Sequence, residues 1–147
     1  MIERCATSGH RGWLELRREL WPDCADGEHL AEMAAFCREP ERFAQFVAYD
    51  ESGRPAGFAE AAIRRDYVNG TNASPVAFLE AIYVVPGARR RGVGRALVEH
   101  VERWARESGC NELASDALLD NRVSHAVHQA LGFAETERVV FFRKDLV

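Results

Sequence analysis

The pattern of apolar and polar positions divides the chain into short elements of alternating type. An apolar stripe at helical spacing runs from Trp13 to Leu20, and Trp21-Pro22 ends it. Apolar segments on both sides of the turn ESGR, residues 51–54, predict a β-hairpin. The amino-terminal half thus predicts a strand over 1–6, helices over 8–20 and 27–39, strands over 43–50 and 54–65, and a polar loop over 66–75.

The carboxyl-terminal half is organised around the apolar run AFLEAIYVV, residues 77–85. Both faces of this run are apolar apart from Glu80, which predicts a central strand covered on both sides. The remaining predicted elements are a helix over 92–107 with the buried stripe Val93, Leu97, Val101, Trp104 and Ala105, a strand over 111–118, a helix over 120–133 with Asp120 or Asn121 as N-cap, and a closing strand over 135–147. We therefore expect one α/β domain over 1–147, with α+β character, a mixed sheet and helices on its faces.

Composition narrows the class of protein. The 147 residues are 47% hydrophobic and 29% charged, the balance of a soluble globular chain. No apolar run approaches the roughly 20 residues that span a bilayer, and the charged first twenty residues do not resemble a signal peptide. We expect no membrane partner and, by default, a cytoplasmic location. The formal net charge of −4 disfavours nucleic acid as a partner and is compatible with a cationic substrate.

Cysteine and histidine spacing argues against disulfides and metals. None of the four cysteines forms a Cys-x-x-Cys pair, so they are expected to be small buried hydrophobes. His125 and His128 lie three apart and could share a helix face, but no second ligand pair has fitting spacing. We therefore expect no metal site.

The segment RRRGVGRAL, residues 89–97, has the chemistry of a phosphate cradle. Gly92 and Gly94 let the backbone approach a ligand closely, and the amides of the following helix favour an anion. Nearby arginines add positive charge. The segment is neither a Walker loop nor a dinucleotide fingerprint, so spacing alone leaves a solvated basic turn as the alternative.

Two motifs carry a family resemblance. VVPGARRRGVGRALVEHVERWA resembles the acetyl-coenzyme A (acetyl-CoA) motif R/Q-x-x-G-x-G/A of the GCN5-related N-acetyltransferase (GNAT) superfamily, with Arg89, Gly92 and Gly94 at its fixed positions. DNRVSHAVHQALGF is similar to the superfamily's second hallmark, an Asn-capped helix that ends in Leu-Gly-Phe. The resemblance implies the GNAT fold, with a mostly antiparallel mixed sheet, and acetyl-CoA as co-substrate. The cofactor-binding residues that it implies are Ile82, Tyr83, Val84, Arg89, Arg90, Arg91, Gly92, Val93, Gly94, Arg95 and Asn121.

Further stretches, two of which overlap these motifs, resemble the aminoglycoside 6'-N-acetyltransferases. They are LWP at 20–22, IRRDYVNG at 63–70, SPVAFLEAIYV at 74–84, ASD at 114–116 and VHQALGFAETERVVFFRK at 127–144. The resemblance implies direct acetyl transfer to an aminoglycoside amine in a ternary complex, and thereby antibiotic resistance. It also implies a homodimer, for which the apolar segment RVVFF, residues 138–142, could supply an interface.

Glu80 is the strongest candidate for the residue that acts on the substrate amine. It is the single charge in an otherwise apolar strand, so it is expected to be paired, functional or at a cleft. The alternatives are a structural ion pair with Arg64 or Arg65 and a family role as the acid that takes a proton, directly or through a water. The resemblance adds Asp116 to the catalytic and substrate-binding acids, and Glu137, Trp21 and Tyr67 to the substrate site.

His128 stands where much of the superfamily has the tyrosine that protonates the departing thiolate. Histidine titrates near neutral pH and suits that role, but it could equally pack beside coenzyme A, or no protein acid is needed. Carbonyl stabilisation is expected from the amides of 82–84, near a family bulge. The open functional alternatives are acetylation of a polyamine or a protein amine, and a non-catalytic acyl-CoA sensor.

Overall fold

The computed structural model describes all 147 residues and contains five strands and four helices. Three of the four helices lie within about three residues of their predicted ranges, whereas the first begins at Trp13, five residues after its predicted start at residue 8. The elements are β1 (Ile2–Arg4), α1 (Trp13–Leu20), α2 (Asp26–Cys37), β2 (Phe43–Tyr49), β3 (Pro55–Arg64), β4 (Val76–Val84), α3 (Val93–Glu107), β5 (Leu113–Ala114) and α4 (Arg122–Ala130), with one 3-10 turn at Pro86–Ala88.

The sheet has the order β1-β2-β3-β4-β5, antiparallel throughout except for the parallel pair β4 and β5. The run 77–85 forms β4, which lies inside the sheet between β3 and β5 as predicted, although β3 is the middle one of the five strands. Strand β5 is only two residues long and pairs through Ala77↔Leu113 and Phe78↔Ala114. Beyond these pairs β4 continues to Val84 with no strand paired on that side. This unpaired edge of β4 is called the cleft below.

Helices cover both faces of the sheet, as predicted. Helix α3 packs on one face, where Leu97, Val101, Trp104 and Ala105 of the predicted stripe are buried. Helices α1 and α2 cover the other face through a second cluster that includes Trp13. No helix combines the length and the apolar character needed to cross a membrane.

The predicted closing strand over 135–147 is wrong. The chain after Phe133 forms no helix or strand and makes no backbone hydrogen bond. Its apolar side chains are exposed, from 51% at Val139 to 93% at Phe142. The segment has strand-forming residues, but a strand also needs a neighbouring edge to satisfy its amides and carbonyls. In one copy of the chain the segment pairs with no strand.

We predict two classes of thiol reactivity. All four cysteines are free, Cys5 and Cys110 are buried, and Cys24 and Cys37 are partly exposed. Desolvation raises the pKa of all four thiols, so the two classes differ in the access of a reagent to the sulfur, which burial blocks at Cys5 and Cys110. In the native protein, a disulfide dye should therefore modify at most the two exposed thiols quickly and reach the other two only in denaturant. Rapid labelling of all four in native buffer would contradict the structure.

Candidate active site

A β-bulge in β4 is the geometric centre of the site. Glu60 pairs with Ala81 whereas Ala61 pairs with Leu79, so Glu80 is the extra residue on β4. A bulge of this kind bends its strand and re-aims the neighbouring side chain and backbone groups. The lone carboxylate of β4 therefore lies at the point where the strand changes direction.

The bulge also changes which amides point into the cleft. Before it, the Ala77 amide donates toward β5 (3.2 Å); after it, the Val85 amide donates to the Ala56 carbonyl beside β3 (2.9 Å). Because the direction of backbone groups alternates along a strand, the Ile82 and Val84 amides point away from β3. The sequence predicted a bulge near residues 82–84, and the structure places it at Glu80, just before them. Its effect is that the Ile82 and Val84 amides face the cleft.

Glu80 forms an ion pair with Arg64, one of the two partners that the sequence offered. Its Oε1 accepts hydrogen bonds from Arg64 Nη2 (2.8 Å) and Nε (3.3 Å), and the Arg64 guanidinium lies 3.7 Å from the centre of the Phe78 ring. The two charged side chains remain 37% and 42% exposed. A pair this exposed exchanges partners at small cost, so the ion pair leaves the carboxylate accessible to a substrate ammonium group.

A buried polar network lies beside Glu80. Glu60 Oε2 accepts hydrogen bonds from Trp13 Nε1 (2.8 Å) and Arg17 Nη1 (2.7 Å), and all three side chains are buried. Glu60 and Glu80 line one small pocket, which Phe36 and Phe43 also border. Burial raises the pKa of the Glu60 carboxyl, and Arg17 opposes that shift. Sequence reasoning missed Glu60, although it is a lone acid in an apolar strand, the same signal that identified Glu80.

The network also supports Trp21. The Arg17 guanidinium lies 4.9 Å from the Trp21 ring centre, and the ring stacks near His29 at 6.2 Å. Arg17 Nε in turn donates to His29 Nδ1 (3.1 Å), and Arg17 also bonds Glu32. Trp21 is 36% exposed, so one part of its ring is held by the protein while another faces solvent. This is the arrangement that a stacking platform for a ligand requires.

The start of α3 is built for an anion. Gly92 is the N-cap with φ of 82°, and no side chain caps the helix. The amides of Val93, Gly94 and Arg95 find no acceptor in the protein, since the first backbone bond to Gly92 comes from Ala96. Three unpaired amides at the positive end of the helix dipole are the feature that the predicted phosphate cradle requires.

The arginines beside the cradle have specific partners. Arg89 Nε donates to the Val84 carbonyl (2.9 Å), and Arg95 Nη2 donates to the Ala130 carbonyl at the end of α4 (3.2 Å). Arg90 adopts a φ of 64°, in the left-handed region, and Arg91 is exposed. Arg89 and Arg95 therefore fasten the loop to β4 and α4, and the anion site depends chiefly on backbone amides.

The side chain of Tyr83, a predicted cofactor-binding residue, bonds another residue of the protein. Its hydroxyl donates to Glu19 (2.9 Å), and burial, followed by this contact, raises its pKa.

Helix α4 begins at Asn121, which settles the choice of N-cap. Asn121 Oδ1 accepts from the Ser124 amide (3.1 Å). One turn further on, His128 Nε2 lies 2.8 Å from Ser115 Oγ, and its Nδ1 lies 2.7 Å from the Ser124 carbonyl. The ring packs edge-on against Phe133 of the Leu-Gly-Phe motif, with centroids 5.3 Å apart. His128 is thus fixed in position behind Ser115, a residue that sequence reasoning missed.

The remaining predicted substrate residues lie at the surface. Asp116 is exposed just beyond β5, Tyr67 is 71% exposed in the loop before β4, and Glu137 is exposed in the carboxyl-terminal segment. A Cβ placed on Gly70 of that loop would lie 3.6 Å from Glu137 Cβ, so the loop and the segment are neighbours. No hydrogen bond or ion pair joins Asp116, Tyr67 or Glu137 to Glu80.

These features agree with comparisons to known proteins. The Acetyltransferase (GNAT) family profile matches residues 11–133, and the chain belongs to that family. It is 54% identical over 134 residues to an aminoglycoside N(6')-acetyltransferase type 1 of Acinetobacter genomosp. 13, covering 91% of this chain and 90% of the relative. A Salmonella typhimurium protein of the same description is 49% identical over 132 residues, covering 90% of each chain.

Solved structures agree in fold and sequence. The aminoglycoside 6'-N-acetyltransferase AAC(6')-Ih of Acinetobacter baumannii superimposes with a TM-score of 0.93 at 49% identity, covering 100% of this chain and 99% of that one. AAC(6')-Iy, in complex with the bisubstrate analogue CoA-S-monomethyl-acetylneamine, has a TM-score of 0.92 at 45% identity and covers 99% and 98%. The mixed five-stranded sheet with helices on both faces is therefore the GNAT fold, as expected.

Proposed function

We propose that this protein transfers the acetyl group of acetyl-CoA to the 6'-amino group of aminoglycosides and acts in the cytoplasm as one catalytic domain. The observation that carries the proposal is the similarity to AAC(6')-Iy, whose bound analogue joins coenzyme A to acetylneamine. Acetylation removes a positive charge from the drug. The drug then binds RNA less strongly, because that binding depends on charge.

Coenzyme A binds at the cleft and at the start of α3. The unpaired amides of Val93, Gly94 and Arg95 hold the pyrophosphate, and the Ile82 and Val84 amides bond the pantetheine arm and the thioester carbonyl. Asn121 lies at the start of α4, where its amide nitrogen remains available to the arm. No metal takes part in this arrangement.

The transfer needs no covalent enzyme intermediate. The 6'-amine nitrogen attacks the thioester carbon, a C–N bond forms, and the C–S bond breaks with its electron pair on sulfur. Glu80 takes the proton that the substrate ammonium must lose, directly or through a water. As the amide forms, the nitrogen loses its second proton to solvent water, and the departing sulfur takes up a proton and leaves as the free thiol.

Substrate recognition combines acids with aromatic faces. Asp116 and Glu137 attract the remaining ammonium groups of a polycationic drug, and the net charge of −4 assists its approach. Trp21 and Tyr67 offer apolar faces to the sugar rings. Polyamine or protein acetylation would use a similar acidic site, but no feature of the structure favours either.

A matched pair of drugs tests the position of transfer. Neomycin and paromomycin differ in carrying an amine or a hydroxyl at the 6' carbon. Mass spectrometry should find one added acetyl group on neomycin, located on the 6'-amine by fragmentation, and none on paromomycin. Equal acetylation of both drugs would show that another amine is the acceptor.

Gly94 offers a test of the phosphate cradle that leaves the fold intact. A Cβ at this position would meet Val84 and Leu131 only at 3.8 and 3.9 Å, which are ordinary contacts. Gly94→Ala should therefore leave stability unchanged or raise it by about 0.5–1 kcal/mol, because alanine favours the helix. It should nevertheless raise the KM for acetyl-CoA about tenfold or more, since the new methyl group occupies the approach of the pyrophosphate. Steady-state kinetics and thermal unfolding give the two results, and an unchanged KM would contradict the cradle.

We further propose that the protein is a homodimer joined by its carboxyl-terminal segments. Ten of the fourteen large apolar side chains that are exposed lie between Leu118 and Val147. They include the Val123 and Val127 face of α4 and the run from Val139 to Phe142. A soluble monomer rarely exposes so much apolar surface in one region. A second copy supplies both the missing strand neighbour for the segment and the cover for α4.

The interface is tested by a double substitution, Phe141→Asp with Phe142→Asp. Both rings are almost fully exposed within one copy, so the change should not disturb its fold. Light scattering after size exclusion should give a dimer mass for the wild type at micromolar concentration and a monomer mass for the variant. Circular dichroism serves as the folding control. A variant that stays dimeric would place the interface elsewhere.

A further inference from the structure

We propose that Ser115 is the residue that donates a proton to the departing coenzyme A sulfur, with His128 behind it as the source of that proton. This inference rests on the proposed acetyl transfer. It assigns a catalytic role to a residue that lies at the end of β5 with no sequence signal of its own.

Both ring nitrogens of His128 are engaged inside the protein. Nε2 lies 2.8 Å from Ser115 Oγ, and Nδ1 lies 2.7 Å from the Ser124 carbonyl oxygen. The Ser124 hydroxyl also lies near Nδ1, but at 3.2 Å it is farther away than the carbonyl oxygen, which can only accept. The shorter contact therefore assigns a hydrogen to Nδ1 in either charge state of the ring. His128 has no free nitrogen to offer a ligand, and the group that it presents toward the cleft is the Ser115 hydroxyl.

Ser115 is placed where both protonation states of His128 can be accommodated. Its Oγ lies 3.2 Å from the Leu79 carbonyl as well as beside His128 Nε2. When the ring is neutral, the hydroxyl donates to Nε2. When the ring is protonated, Nε2–H donates to Oγ, and the hydroxyl hydrogen turns toward Leu79 or a ligand. No heavy atom has to move between the two states, which is what a proton relay requires.

Ser115 lies where β4 and β5 stop pairing. It directly follows Ala114, whose pairing with Phe78 is the last strand pair between β4 and β5. Its hydroxyl therefore lies at the end of the cleft where this pairing stops, beside the Leu79 carbonyl, and Leu79 is the residue before the bulge at Glu80. Glu80 and Ser115 flank this end of the cleft, one suited to take the proton from nitrogen and the other to give one to sulfur.

The protons of the step balance: the nitrogen gives up two, one to Glu80 before the attack and one to solvent water as the amide forms, and the sulfur receives one. As the C–S bond breaks, the sulfur takes the hydroxyl proton of Ser115, and Oγ takes the Nε2 proton of protonated His128. The ring is left neutral, with its Nδ1 hydrogen still on the Ser124 carbonyl. Solvent water reprotonates the ring before the next turnover.

Kinetics in H2O and D2O test the relay. Ser115→Ala should lower kcat with an aminoglycoside about tenfold to hundredfold, with little change in the KM for acetyl-CoA. Ser115→Thr keeps a hydroxyl and should recover most of the rate. His128→Phe should cost about as much as Ser115→Ala, and the double variant no more than either, because the two residues act as one unit. His125→Phe removes a histidine of the same helix that bonds only the Leu118 carbonyl, and it should stay within about twofold of wild type.

Two outcomes would overturn the relay while the wild type remains active. One is a Ser115→Ala variant with wild-type kcat and an unchanged solvent isotope effect. The other is a double variant whose loss equals the product of the single losses. Nitrogen-15 NMR of His128 gives a readout without any drug: the neutral ring should carry its hydrogen on Nδ1, and the opposite tautomer would also overturn the proposal. Failure of the wild type to turn over any aminoglycoside would instead refute the proposed function.

Discussion

Glu80→Gln should lower kcat/KM for an aminoglycoside by about two to four orders of magnitude. Glutamine fills the same space in the bulge but cannot take a proton from the substrate ammonium. A positioned carboxylate is required here because a protonated amine has no lone pair with which to attack the thioester. Steady-state assays with saturating acetyl-CoA, together with a thermal unfolding control, give the measurement.

The ion-pair partner provides the matched control. Arg64→Gln removes the group that bonds Glu80 in the free protein and leaves the carboxylate in place. Its effect should be far smaller, within about tenfold, because an exposed pair contributes little. If Glu80→Gln keeps full turnover, or if Arg64→Gln is the more damaging change, Glu80 is a structural residue and the proton leaves by another route.

Glu60→Gln should destabilise the fold by about 3–5 kcal/mol, the largest effect on stability that we expect. Arg17 and Glu60 are both buried, and their 2.7 Å bond compensates two charges that have lost water. Neutralising Glu60 leaves the guanidinium with Glu32, a side chain that is 57% exposed, as its remaining carboxylate partner. Chemical denaturation with urea measures the difference, and the melting temperature should fall by about 10 °C or more.

Two further variants show whether the stability loss of Glu60→Gln comes from the buried ion pair or from the loss of any carboxylate charge. Glu102→Gln makes the same substitution in an exposed pair with Arg106 and should cost less than about 1 kcal/mol. Arg17→Met combined with Glu60→Leu removes both buried charges and should be more stable than Glu60→Gln alone. A Glu60→Gln loss no greater than that of Glu102→Gln would show that the buried pair is not a stabilising element.

Elements with a complete local signal could be predicted from the sequence. The stripe of α3, the Asn121 cap of α4 and the glycine turn of the hairpin each depend on residues close together in the chain. The same holds for the phosphate cradle, because its glycines and its amides lie within one helical turn. Local patterns predict local structure well because few distant contacts compete with them.

Features that depend on distant partners could not be predicted in this way. The apolar run of β4 indicates burial on both faces, but sheet order decides that β3 is the middle strand. The segment RVVFF has the composition of a strand, but it lacks a neighbouring edge within one copy. Pairing is a property of two segments, so composition alone does not determine it.

Among the site residues, too, some have a local sequence signal and others depend on distant contacts. Glu80 was recognisable as a lone acid in a strand, and Glu60 carries an equal signal, but only the structure distinguishes the exposed acid from the buried one. Ser115 has no signal at all, because serine is ordinary at the end of a strand. Its significance comes from His128, which lies thirteen positions later and reaches it through the fold.

Thiol release from acetyl-CoA tests most directly whether the acceptor is an aminoglycoside amine. Kanamycin, tobramycin and spermidine are offered side by side to the purified protein, with Glu80→Gln as the inactive reference. We predict drug-dependent release with kanamycin and tobramycin, and little with spermidine. Release with spermidine alone would make the protein a polyamine acetyltransferase, and no release with any acceptor would contradict the account.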